Sequence, residues 1–122
     1  MFLATINKSH RLLHASYICK VTVADLERGY EELKLLVREF PDGYILFADW
    51  GRMESIDPEC ATIIGQTMEL FDQSSMERVV RLFPDPTKDI GLNILGAFHI
   101  SNRRPFVTCD NMKDAIRALR LK

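Results

Sequence analysis

The chain has 122 residues, 47% of them hydrophobic, which is the size and composition of a single domain able to bury one core. Its 16 basic residues nearly cancel its 17 acidic ones, leaving a net charge of -1 with no long run of either sign, so the electrostatic footprint of a nucleic-acid binder is absent. No apolar run approaches the roughly 18 residues of a membrane span, and Met1 leads into a mixed segment with no signal-peptide pattern, so no membrane insertion and a cytoplasmic location are expected.

Phe2 to Asn7 is apolar and alternating and predicts a strand; Leu12 to Val21, rich in Leu, Tyr, Ile and Val, predicts a second. Lys8-Ser9-His10-Arg11 between them is expected to be a hairpin turn. Thr22 can cap a helix whose apolar residues Leu26, Tyr30, Leu33, Val37 and Phe40 recur at helical spacing, until Pro41-Asp42-Gly43 ends it. Tyr44 to Ala48 is apolar without alternation, as in a central strand covered on both faces. Asp49 is expected at the strand end, and Trp50 to Ile56 is expected to be a polar loop.

Asp57 then has the character of an N-cap, with Pro58 at the first helical position and Glu59 at the second, where an acid meets the positive end of the helix dipole. The helix should run to about Phe71. Its buried stripe is expected to be Cys60 or Ala61, Ile64, Met68 and Phe71, leaving Glu59, Thr62, Gln66, Glu69 and Gln73 aligned on the opposite face. Met76 to Phe83 predicts a strand. Asp85-Pro86 opens another helix, carrying Ile90, Ile94 and Leu95 and closed by Gly96. Ile100 to Arg104 is expected to be a polar loop and Pro105 to Thr108 a short strand. Asp110 should cap a last helix with Met112, Ala115, Ile116 and Leu119 on one face. Strands alternating with helices require crossover connections, so the chain is expected to be an α/β single domain over residues 1–122. Its sheet should be mostly parallel or mixed, with about four to five strands and about four helices.

Few constellations carry chemistry. Cys19, Cys60 and Cys109 are odd in number and lack Cys-x-x-Cys spacing, the usage of reduced, mostly buried thiols. Cys60 near a helix start could have a lowered pKa, yet the apolar stripe turns it or Ala61 to the core. His10, His14 and His99 fall in separate elements with no closely spaced carboxylate or cysteine, so no metal site is indicated. Phosphate-loop and dinucleotide fingerprints are missing, and no cofactor is expected. Asp49 and Asp57 could be paired carboxylates for acid-base work, or a loop N–H acceptor and a cap. Arg103-Arg104 could receive an acidic partner or be a solvated loop. Trp50, the single tryptophan, could be a docking anchor or could pack at the core edge.

In order and spacing these segments resemble the STAS domain family, that of bacterial anti-sigma factor antagonists and of the cytosolic domains of sulfate transporters. Asp49 and Ile56-Asp57 match the family's two acidic points, which flank the loop before a helix. Val79 to Pro84, Ile94-Leu95-Gly96, and Phe106-Val107 through Asp110 to Ala115 resemble its later elements. The similarity begins at about Leu12. In that family a Ser or Thr two residues after the signature Asp accepts phosphate. Here Pro58 and Glu59 hold the two hydroxyl positions and Cys60 replaces the glycine, so phosphorylation there is excluded. A register with Glu54-Ser55 standing for Asp-Ser puts Ile56 at the acceptor position. Glu59 carries a charge of about -1 where phosphoserine carries about -1.5 to -2.

The resemblance implies a non-enzymatic, regulatory protein-interaction domain. The expected partner-binding residues are Trp50, Arg52, Glu54, Ser55, Asp57, Glu59, Thr62, Gln66 and Glu69. The implied partner is a protein, either an anti-sigma or kinase-like protein or, as for the STAS subunit of lipid-transport complexes, an ATPase. A homodimer is a further option. A different class of function is a small-molecule or anion site at Asp49, Asp57 and Asn102 to Arg104.

Overall fold

The first two strands form where alternation places them, β1 over Phe2–Asn7 and β2 over Leu12–Val21, in a computed structural model that describes residues 1–83 and 105–120. They pair antiparallel, with Phe2 opposite Tyr17 and Asn7 opposite Leu12. In the turn, Asn7 Oδ1 accepts from the Ser9 hydroxyl at 2.9 Å and the His10 N–H at 3.2 Å, a short side chain standing in for a backbone partner.

α1 (Val23–Leu36) starts on a reciprocal capping box. The Asp25 N–H donates to Thr22 Oγ1 at 3.2 Å, and the Thr22 N–H donates to Asp25 Oδ2 at 3.0 Å. Its buried residues are Leu26, Gly29 and Leu33, so Gly29 takes the place in the stripe expected for Tyr30. The cause is Phe2 of β1, which packs so close to Gly29 that a Cβ there would enter its ring. The larger Tyr30 lies to the side, with the Lys34 ammonium 5.2 Å from its ring centre.

β3 runs from Tyr44 to Ile56, thirteen residues, and overturns the expected loop at Trp50 to Ile56. It pairs parallel with β2, and two irregularities in the register explain why alternation hides it. Ser16 faces Asp49 but Ile18 faces Arg52, and Cys19 faces Met53 but Lys20 faces Ser55, so β3 carries an extra residue at each place. Each extra residue flips the sequence phase of a strand. As a result Trp50 and Met53, three apart, both lie in the core against the helices, 7% and 1% exposed. Cys19, at the second irregularity with φ 54°, is exposed, contrary to the expectation for its thiol; Cys60 and Cys109 are buried.

A short turn of 3-10 helix at Pro58–Cys60 leads into α2 (Ala61–Gln73), followed by β4 (Met76–Leu82), β5 (Phe106–Cys109) and α3 (Met112–Arg120). One mixed sheet has the order β1-β2-β3-β4-β5, antiparallel at β1–β2 and parallel elsewhere. α1 and α2 cover one face through Leu26, Leu33, Ile64, Met68 and Phe71 against Leu13, Tyr17, Leu46 and Val79. α3 covers part of the other with Ala115, Ala118 and Leu119 on Phe47, Val80 and Leu82. α3 is capped by Asn111, one residue later than expected: its Oδ1 accepts the Asp114 N–H at 2.9 Å. The described residues therefore hold three helices of the four expected. The helix expected from Asp85 to Gly96 and the loop from Ile100 to Arg104 lie outside them.

Candidate docking surface

The end of β2 builds the junction between β3 and α2. The Val21 carbonyl accepts the Asp57 N–H at 3.1 Å and lies 3.8 Å from the Cys60 thiol, so one backbone oxygen ties strand end and helix start together. Asp57 is not the side-chain cap its sequence position suggests. It is extended, with φ -66° and ψ 135°, and its side chain makes no cap hydrogen bond. Its backbone oxygen instead accepts the Cys60 N–H at 2.9 Å, so the 3-10 turn satisfies a donor that a side chain would otherwise take. Cys60 is fully buried, and burial pushes its thiol up to about 11, with the charges of Asp57 and Glu59 adding to the effect. It is a thiol at neutral pH and packs as a small hydrophobe.

α2 then divides cleanly. Ile64, Thr67, Met68 and Phe71 are buried, and the Thr67 hydroxyl is satisfied by the Ile63 carbonyl at 2.8 Å. Glu59, Thr62, Gln66, Glu69 and Gln73 are all exposed, at spacings of three and four that place them in one row. Gln73 Nε2 donates to Glu69 Oε1 at 3.3 Å, and the row carries two carboxylates and no base. Arg52, Glu54 and Ser55 are exposed along the last turnless stretch of β3, and Asp57 is half-buried. Trp50 is the exception among the expected partner-binding residues. Its ring packs edge-on against Phe83 at 5.2 Å and Tyr17 at 6.1 Å, and it is buried in the core.

Asp49 and Asp57 do not form a carboxylate pair. Eight residues of extended strand separate their backbones by about 26 Å, and the Asn102 to Arg104 part of the expected small-molecule site lies outside the described residues. Asp49 belongs instead to a cluster that sequence reasoning missed. His14 Nε2 lies 3.2 Å from Asp49 Oδ2 and 3.0 Å from the Ser16 hydroxyl, and its ring stacks on Phe47 at 4.6 Å. Asp49 Oδ1 accepts the Gly51 N–H at 2.9 Å. Burial works to raise the Asp49 carboxyl, and the bonds from His14 and Gly51 outweigh it, holding it below the ordinary carboxylate range. Asp49 Oδ2 and the Ser16 hydroxyl oxygen meet the same ring nitrogen, His14 Nε2, whereas a proton relay uses the two nitrogens separately, so the trio clamps β2 to β3 and is not a nucleophilic triad. Only the parallel register, Ser16 beside Asp49, brings these residues together. Among the described residues no group of three or more His, Cys, Asp or Glu converges as a metal site.

No family model matches the chain, and no curated protein matches it. Solved structures do. The anti-sigma factor antagonist SpoIIAA in its unphosphorylated form superposes with a TM-score of 0.64 over 100% of both chains at 11% identity. The fold is SpoIIAA-like. An uncharacterised protein of the DUF3478 family from Shewanella loihica PV-4, itself described as having a SpoIIAA-like fold, superposes with a TM-score of 0.67 over 98% of this chain and 92% of its own at 13% identity. The SpoIIAA-like fold agrees with the STAS resemblance of the sequence and extends it to β1, which the motifs did not reach. At these identities the likeness concerns architecture, since function resides in the site. No helix of the described residues is long and apolar enough to cross a membrane.

Proposed function

We propose that the chain is a regulatory protein-interaction domain of the anti-sigma factor antagonist type, without catalytic activity of its own, that docks a protein partner on the exposed row of α2 with a fixed charge at its start. The observation that carries this reading is the composition of the junction. Pro58 and Glu59 are exposed at the entry to α2, neither bears a hydroxyl, and the Cys60 that follows is buried with a protonated thiol. A permanent carboxylate therefore stands by the positive end of the helix, where a switched protein would add and remove phosphate. Support for the class comes from the fold, since SpoIIAA is an anti-sigma factor antagonist. Glu59, Thr62, Gln66 and Glu69 form the contact row, and Arg52, Glu54, Ser55 and Asp57 flank it.

The row is acidic and uncharged polar, so its partner presents basic and hydrogen-bonding groups. The partner is a kinase-like or anti-sigma protein, or an ATPase. Affinity capture from a native extract with the wild type, Glu59→Arg and Thr62→Arg tests the proposal. Lys8→Glu, at the far end of the strands, is the control. Loss of the same captured protein in both the Glu59→Arg and Thr62→Arg variants and its retention by the control is expected. Equal capture by all four contradicts the reading.

A further inference from the structure

The end of the sheet remote from the start of α2 holds a groove that the docking surface does not use. Leu12 at the start of β2, Ile45 at the start of β3, and Ile116 and Leu119 of α3 form its apolar floor, and the groove encloses about 690 Å³. Small-molecule sites run from about 300 to 1,000 Å³. Among the described residues its rim is basic: Arg11, Arg78 and Arg120 face one carboxylate, Glu77, with His10 beside them.

The three arginines are engaged to different degrees. Arg78 donates to the Ala118 carbonyl at 2.9 Å and the Leu119 carbonyl at 3.3 Å, which occupies it in closing the end of α3. Arg11 uses one terminal nitrogen, shared between the Asp42 carbonyl at 3.1 Å and Glu77 Oε1 at 3.0 Å. A guanidinium has five N–H donors, so the rest of the Arg11 fork remains for a ligand. Arg120 is exposed at the lip. A neutral hydrocarbon would leave this excess of positive charge unmatched, and a small inorganic anion would leave four aliphatic side chains uncovered. One ligand chemistry satisfies both halves.

We propose that this groove binds an aliphatic carboxylate, with its alkyl chain across Leu12, Ile45, Ile116 and Leu119 and its carboxylate against Arg11 and Arg120. The charged pair orients the chain, and burial of methylenes supplies most of the affinity, tightening binding by up to about fourfold for each one buried.

Titration calorimetry of the full chain with hexanoate, octanoate, decanoate, decanol and inorganic phosphate tests it. Saturable binding that strengthens from hexanoate to decanoate is expected, with decanol about tenfold weaker than decanoate and phosphate alone not bound. Arg120→Glu should weaken decanoate about tenfold, as loss of a charge-assisted hydrogen bond does. Ile116→Trp should weaken it by filling the floor, and methyl resonances of Leu12, Ile45 and Ile116 should shift on titration. Thr62→Arg, at the docking surface, should leave decanoate binding unchanged, which keeps this test separate from the proposed partner function. Absence of saturable decanoate binding, equal binding of decanol, or full binding by both folded groove variants overturns the proposal.

Discussion

Met53 distinguishes most sharply between a strand and a loop after Asp49. In β3 it faces the helix-covered core and is 1% exposed, between Arg52 and Glu54, which are exposed. Met53→Ala removes three heavy atoms. At about 0.8 kcal/mol for each methylene-sized group the transfer loss is about 2.4 kcal/mol, and a partly collapsed cavity adds about 1 kcal/mol, for a total of about 3 kcal/mol. With a urea dependence of about 1.5 kcal/mol per molar, the unfolding midpoint should fall by about 2 M with the slope unchanged. Urea titration followed by circular dichroism measures it. Glu54→Ala, one residue on, should change stability by less than about 0.5 kcal/mol. A loss of under about 1 kcal/mol for Met53→Ala, or equal losses for the two, refutes the strand and its double irregularity.

Gly29→Ala should destabilise the protein even though alanine favours helix by about 1 kcal/mol over glycine, because its methyl enters the space of the Phe2 ring; a gain in melting temperature would contradict the packing of α1 on β1. In thiol titration of the native protein Cys19 should react fast, while Cys60, with its thiol raised to about 11, and Cys109, raised by burial, should react only on unfolding; fast modification of a second thiol would place one of them at the surface. Asp25 is held at about 2, chiefly by the Thr22 N–H. A carboxyl lowered in the folded state stabilises above its unfolded value and loses that contribution as pH falls toward its folded one. Asp25→Asn should therefore melt below the wild type at pH 7, and the two curves should converge near pH 2; a gap that persists there would contradict the ionic part of the capping box.

What the sequence made legible was what depends on near neighbours. β1 and β2 have the bounds that their apolar pattern implies, and Thr22 caps α1 through a residue three positions away. The α2 stripe follows helical period from Ile64 to Phe71. Three features were hidden because they depend on distant chain. The second half of β3 is a strand because β2 runs beside it, and its extra residues erase the alternation that announces one. Gly29 replaces Tyr30 in the core because Phe2 arrives from another element. His14 meets Asp49 across 35 positions through parallel register alone. Within the proposed docking surface, the exposed row along α2 was legible from periodicity. The burial of Trp50 and the passive role of the Asp57 side chain were not, since both follow from how β3 continues.

The central claim, that the α2 row receives a protein partner, is tested most directly by calorimetric titration of the captured partner into wild type and Thr62→Arg. A large cation placed in the middle of an acidic row that meets a basic surface should weaken binding at least tenfold, or about 1.4 kcal/mol, while circular dichroism and the urea midpoint stay the same. Unchanged affinity in a folded Thr62→Arg protein would contradict it.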